Sequence, residues 1–133
     1  NFDFNKTKIL NKKKEIGPTG VDMHSLAEIS FENNFKSIVR ASLIKNLGKM
    51  TKITGTKGEL ILEDTWSPAN LASIKITGEN KEKIDIECYN NIYAYEIDIL
   101  SQCILENRKE PKFPGMNINE TLENMRILDK WLN

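Results

Sequence analysis

The sequence predicts an α+β fold: an open, mainly antiparallel β-sheet with helices on one face. Three observations predict it. Apolar and polar residues alternate with period two in short runs as far as Cys88, which suits strands with one buried face. Glycine- and asparagine-rich turns separate those runs at hairpin spacing. From Ile92 onward the apolar spacing becomes helical, so strands come first and helices last.

The elements follow in order. Thr7 to Ile16 forms a strand anchored by Ile9 and Leu10, and Gly17-Pro18-Thr19-Gly20 breaks it. Ala27, Ile29 and Phe31 then alternate with Leu26, Glu28 and Ser30. Asn33-Asn34 is a hairpin turn, because asparagine tolerates the left-handed backbone region. Phe35 to Ile44 returns with Phe35, Val39, Ala41 and Leu43 on one face. Lys36, Ile38, Arg40, Ser42 and Ile44 form a mixed opposite face.

The central stretch is Ile53 to Trp66. Gly55 and Gly58 bracket a tight turn, after which Leu60 and Leu62 point one way and Glu59, Ile61 and Glu63 the other. A further hairpin pairs Ile74 and Ile76 with Ile84, Ile86 and Cys88 around Gly78-Glu79-Asn80. Ile92, Tyr95, Ile99 and Cys103, widened by Tyr93, Ile97, Leu100 and Ile104, make an amphipathic helix reaching Asn107. Lys109-Glu110-Pro111 and Pro114-Gly115 end it. The last helix starts near Asn117, with Glu120 placed for a capping box. Leu122, Met125, Leu128, Trp131 and Leu132 are its apolar side.

Length and composition narrow the functional classes. The chain has 133 residues, enough for one domain with a core. It is 39% hydrophobic and 29% charged, with 19 basic and 19 acidic residues and no formal net charge. That balance argues against a nucleic-acid partner, whose phosphates demand a basic surface. Lys12-Lys13-Lys14 is read as a solvated loop or edge strand in preference to a binding patch. No apolar run approaches a membrane span and no signal-peptide pattern opens the chain, so a cytoplasmic location is expected. Cys88 and Cys103 lack metal spacing and read as buried free thiols. The chain opens on Asn1 and not on methionine, which suggests cleavage or a piece of a longer polypeptide.

Few residues carry a chemical signal. Asp22 and His24 fit an acid–base pair, but a polar pair at a strand entrance is the favoured reading. Gly55-Thr56-Lys57-Gly58 lacks the spacing and following helix of a phosphate-binding loop, so it reads as a turn. No dinucleotide fingerprint and no metal-ligand cluster occurs. Trp66, Tyr93 and Tyr95 fit either a ligand cleft or a core, the core being the commoner case.

Taken together, Gly20-Val21-Asp22, Ile29-Ser30-Phe31-Glu32-Asn33-Asn34 and Lys52-Ile53-Thr54-Gly55-Thr56-Lys57-Gly58-Glu59-Leu60 resemble successive landmarks of one family. So do Tyr93-Ala94-Tyr95-Glu96-Ile97 and the closing run from Asn119 to Asp129. They are similar to the C-terminal domain of the glucose–fructose oxidoreductase, inositol dehydrogenase and rhizopine-catabolism (Gfo/Idh/MocA) family. The likeness runs from about Val21 to Trp131. It implies a two-domain parent enzyme in which an upstream Rossmann domain holds NAD or NADP. This domain then supplies an open antiparallel sheet whose face closes a substrate cleft or meets another subunit. The implied reaction is hydride transfer on a sugar, polyol or related hydroxyl or carbonyl substrate.

The family's catalytic lysine lies in a Glu-Lys-Pro motif that this chain lacks. Lys109-Glu110-Pro111 has the wrong order, and Asp22 and His24 lie in the wrong place to be the family's Asp/His pair. No catalytic, cofactor-binding or metal-binding role therefore transfers to any residue. The expectation is a C-terminal piece, residues 1–133 forming one domain, inactive alone. Trp66 and Tyr93 are the candidate substrate contacts, and a homo-oligomer through the sheet face is the expected assembly. The competing expectation is a stand-alone interaction or oligomerisation module that uses the same sheet face, motivated by Lys36, Ile38, Arg40, Ser42 and Ile44.

Overall fold

The structure, a computed structural model, describes residues 4–68, 70–89 and 91–133. Among the described residues, seven strands precede two α-helices: β1 (Lys8–Ile16), β2 (Asp22–Ser30), β3 (Lys36–Ser42), β4 (Thr51–Gly55), β5 (Gly58–Leu62), β6 (Leu71–Gly78), β7 (Glu82–Glu87), α1 (Ile92–Leu105) and α2 (Ile118–Leu132). Every strand pairing is antiparallel and neither sheet closes into a barrel, so the expected open α+β class holds. Pairing divides the strands into a three-stranded sheet, β1-β2-β3, and a four-stranded sheet, β4-β5-β6-β7. The division falls after Ser42, whose hydroxyl accepts from the Ile44 and Lys45 amides and so turns the chain out of β3. Contacts group the chain into two compact units, Asn1–Leu47 with Met116–Asn133, and Gly48–Gly115.

In the first unit, β1 and β2 are joined by the expected Gly17–Gly20 turn, closed by Gly17 N–H donating to Val21 O at 2.8 Å. Register aligns Lys12 with Ala27 and Ala27 with Val39, and aligns Ser25 with Ala41. The shared face is the core of the unit: Ser25, Ala27 and Ile29 are buried. Asn33 and Asn34 adopt positive φ as the sequence suggests. The turn is longer than a two-residue hairpin, however. A 3-10 turn over Glu32–Asn34 is held by Phe31 N–H donating to Phe35 O at 2.9 Å. The Phe31 and Phe35 rings sit 5.5 Å apart, so their contact staples a five-residue connection.

Helix α2 begins with the capping box read from sequence. The Asn117 side chain accepts from Glu120 N–H at 3.0 Å, and the Glu120 carboxylate accepts from Asn117 N–H at 2.9 Å. Its half-buried apolar residues are Ile127, Leu128 and Trp131, whereas Leu122, Met125 and Leu132 are exposed. Two lysines tie α2 to β1. Lys130 Nζ donates to Thr7 O at 3.2 Å, and Lys14 Nζ donates to Leu132 O.

In the second unit, register places Ile53, Leu60 and Ile76 in one row and Thr51, Leu62, Ile74 and Ile84 in the next. This apolar face is opposed by a charged one. There Lys52 pairs with Glu59 at 2.8 Å, Lys83 with Asp85 at 2.7 Å, and Lys75 with Glu63. Helix α1 is capped by Asn91, whose side chain accepts from Ala94 N–H at 2.9 Å. It ends at Asn107 in the left-handed region, with Arg108 N–H reaching Cys103 O at 2.9 Å and Asn107 N–H reaching Ile104 O at 3.0 Å. Asparagine's tolerance of that conformation stops the helix before the prolines do. Gly115 lets the following loop close on α1, since a Cβ there would lie 2.9 Å from Ile99 Cγ2.

Candidate functional site

The hairpin of β4 and β5 is the best-built feature of the second unit. Gly55 and Gly58 are register partners flanking Thr56-Lys57, so the stretch is a tight turn between strands and no helix follows it. Beside it lies a recess of about 310 Å³. Ile53, Leu60 and Ile76 supply its apolar surface, with Lys57, Glu79 and Asn80 among its polar residues. Glu79 N–H donates to Lys57 O at 3.2 Å, which locks the two turns of the sheet together at this end.

Trp66 and Tyr93, the sequence-level candidates, lie elsewhere in the unit. Trp66 is 70% exposed at the tip of a turn after β5. That turn is made by Asp64, whose carboxylate accepts from Ser67 N–H at 2.9 Å and pairs with Lys49 at 3.0 Å. Burial raises the Asp64 pKa, but the Ser67 amide and Lys49 outweigh it and hold the carboxyl below its ordinary value. The spacing Asp-x-x-Ser is the local signal for this turn and was open to reading in the sequence. Tyr93 is 66% exposed in the first turn of α1. Neither residue lines the recess, and no ring contact joins them among the described residues.

Asp22 and His24 do not form a hydrogen-bonded pair. The Asp22 carboxylate accepts from the Ser25 hydroxyl, and that bond lowers its pKa. His24 stands opposite Glu15 and Ser42 in the sheet, and its Nδ1 is buried without a partner. Glu15 is itself engaged by Lys45 at 2.7 Å, which holds its carboxyl low. The polar pair favoured from the sequence is therefore not formed: both residues stand at the start of β2, but Asp22 turns to Ser25 and His24 faces Glu15 and Ser42.

The electrostatics elsewhere are those of solvated ion pairs. Lys52, Lys75 and Lys112 lower the pKa values of Glu59, Glu63 and Glu106 respectively, while the hydrogen bond to Glu87 raises that of Tyr89. A proton-transfer centre pushes a carboxyl upward or a lysine downward. None of these shifts is of that kind. Among the described residues, no group of three or more His, Cys, Asp or Glu side chains is placed to hold a metal. Both cysteines are free. Cys103 is buried as expected, and Cys88 is only half-buried. Among the described residues, no helix is long and apolar enough to cross a membrane.

Comparison with known proteins places this geometry in a fold. No family model matches the chain, and no curated protein matches it in sequence. Among solved structures, it is similar to the crystal structure of aldose-aldose oxidoreductase from Caulobacter crescentus complexed with glycerol. The TM-score is 0.71 at 15% sequence identity, over 92% of this chain and 37% of that one. At 15% identity this likeness shows the fold: the open α+β arrangement expected from the sequence is shared with part of that oxidoreductase. The chain spans little more than a third of its structural neighbour.

Proposed function

We propose that this chain is the C-terminal, substrate-side domain of a two-domain cytoplasmic oxidoreductase. That parent enzyme transfers a hydride between NAD or NADP and a sugar, polyol or related hydroxyl or carbonyl substrate. The observation that carries the reading is the fold match, which covers nearly all of this chain but only 37% of an aldose-aldose oxidoreductase. On this reading the cofactor and the catalytic lysine belong to an upstream glycine-rich βαβ domain. The present residues provide binding surface, with Trp66 and Tyr93 as substrate contacts.

Helix α1 supports a covered role. Tyr93, Ile97, Leu100 and Ile104 recur at alternating spacings of four and three, and each is more than half exposed. Such an apolar stripe is the mark of a surface that meets another domain or subunit. Self-association through the sheet is compatible with this reading, because Ile38 is exposed on the mixed face of β3.

The test has two parts. The coding sequence upstream of Asn1 should contain a glycine-rich βαβ unit, and the protein carrying it should reduce NAD(P)⁺ in the presence of a polyol. An upstream region without that unit rejects the proposal. The alternative, a stand-alone self-associating module, then predicts dimers or larger species in sedimentation equilibrium.

A further inference from the structure

Beside β1 in the first unit is an open, shallow groove of about 530 Å³, against about 310 Å³ for the hairpin recess. It is lined by the consecutive residues Thr7 to Lys12 and by Lys130 of α2. Three of those seven side chains are lysines and none is a carboxylate. Other lysines form pairs such as Lys45–Glu15, Lys49–Asp64 and Lys52–Glu59, although Lys13, Lys57, Lys81 and Lys109 make none among the described residues. Lys8 and Lys12 make no ion pair among the described residues. Lys130 is held by one bond to the Thr7 carbonyl, which leaves two of its ammonium protons to donate.

The backbone adds to this. β1 is an edge strand, so alternate amides face away from β2 without a strand partner. The register breaks between Ile9 and Asn11, leaving Leu10 as a bulge in the middle of the groove lining. Bulges leave the extra residue's polar groups outside the ladder. Thr7, at one end, is 3% exposed, and its Oγ1 is buried with no hydrogen-bond partner. A buried hydroxyl left without a partner is destabilising.

Protection of an edge strand by lysines explains Lys12 and Lys13. It does not explain Lys130, which reaches the same place from 123 residues away, nor the unpartnered threonine. We propose that this groove binds a small phosphate-bearing molecule. Lys12 and Lys130 would neutralise the phosphate, and Ile9, on the same face of β1 as Lys12, would lie against its organic part. Lysine suits this role because its ammonium acts as a compact charge with rotatable donors. The site lies within the first unit and is independent of the oxidoreductase reading.

The experiment is a titration of the chain with inorganic phosphate at low ionic strength, followed by amide ¹H–¹⁵N shifts. Saturable shifts confined to Thr7–Lys12 and the end of α2 are expected, with acetate at least about tenfold weaker. The K12Q/K130Q double variant should lose at least about tenfold in affinity, the equivalent of one charge-assisted hydrogen bond. Both side chains are exposed, so the variant should keep its shifts elsewhere and serve as a folded control. The proposal is overturned by absence of saturation, by shifts spread equally over remote lysines such as Lys36 and Lys83, by acetate binding as tightly, or by unchanged affinity in the folded double variant.

Discussion

Gly58 and Gly78 are register partners across β5 and β6, and neither position has room for a side chain. A Cβ on Gly58 would lie 1.9 Å from Thr77 O, and one on Gly78 would lie 2.3 Å from Lys57 O. Both also hold positive φ, at 149° and 120°, where side-chain-bearing residues are strained. Gly58→Ala and Gly78→Ala are therefore each expected to destabilise the second unit by at least about 2 kcal/mol. Denaturant unfolding measures this directly. A loss below about 0.5 kcal/mol at both positions would show that the close approach is not real.

Asn117 and Glu120 satisfy each other's backbone amides at the start of α2. Asn117→Ala should cost about 1 kcal/mol, whereas Asn117→Asp should be nearly neutral because aspartate caps as well. Thermal melts of the two variants distinguish them. Equal losses for alanine and aspartate would mean that the cap does not form.

The exposed stripe on α1 separates the domain reading from a core reading. L100K/I104K should change the stability of the present chain by no more than about 0.5 kcal/mol, as for ordinary surface positions. In the protein with its upstream region, the same pair should weaken folding or activity severely, because a covered apolar face cannot accept two ammonium groups. A large stability loss in the present chain alone would place the stripe in its own core.

Acid should weaken the fold through its ion-paired glutamates. Lysine partners lower the pKa values of Glu15, Glu59, Glu63 and Glu106 in the folded state from the ordinary value of 4.5. A lowered folded-state value means that the stabilisation is complete above the unfolded value and disappears as pH falls through the folded one. Unfolding midpoints should thus be steady near about pH 6 and decline below about pH 4.5, with a smaller decline at high salt. All four groups are at the surface, so the total effect is modest. Midpoints that rise on acidification would contradict the assignment.

Under the oxidoreductase proposal, Trp66→Ala and Tyr93→Ala in the complete enzyme should raise the apparent KM for the polyol more than they lower kcat. Steady-state kinetics with each variant provides the check. Unchanged constants would remove both residues from the substrate surface.

Local rules carried much of this fold in the sequence. Period-two alternation located β2, β5, β6 and β7, the Asn117–Glu120 spacing located the start of α2, and Gly55–Gly58 located the central turn. Each depends on residues close together in the chain, where backbone geometry and hydrogen-bonding capacity act without outside help. The same locality showed that no motif for catalysis or dinucleotide binding is present in these residues.

Other features needed the third dimension. The sequence reads as one sheet, yet strand pairing stops between β3 and β4, because pairing depends on partners distant in sequence. The glycine contact between β5 and β6 is invisible to turn rules, since Gly78 matters through Lys57 and Gly58, not through its own neighbours. Lys130 and Thr7 meet across 123 residues, and only that meeting turns a run of solvated lysines into the wall of a groove. The sequence by itself determined most of the strands and the cap of α2, because local energetics suffice for them. Tertiary structure alone decided which faces remain open and where unpaired charge collects, because burial and long-range approach are properties of the folded chain.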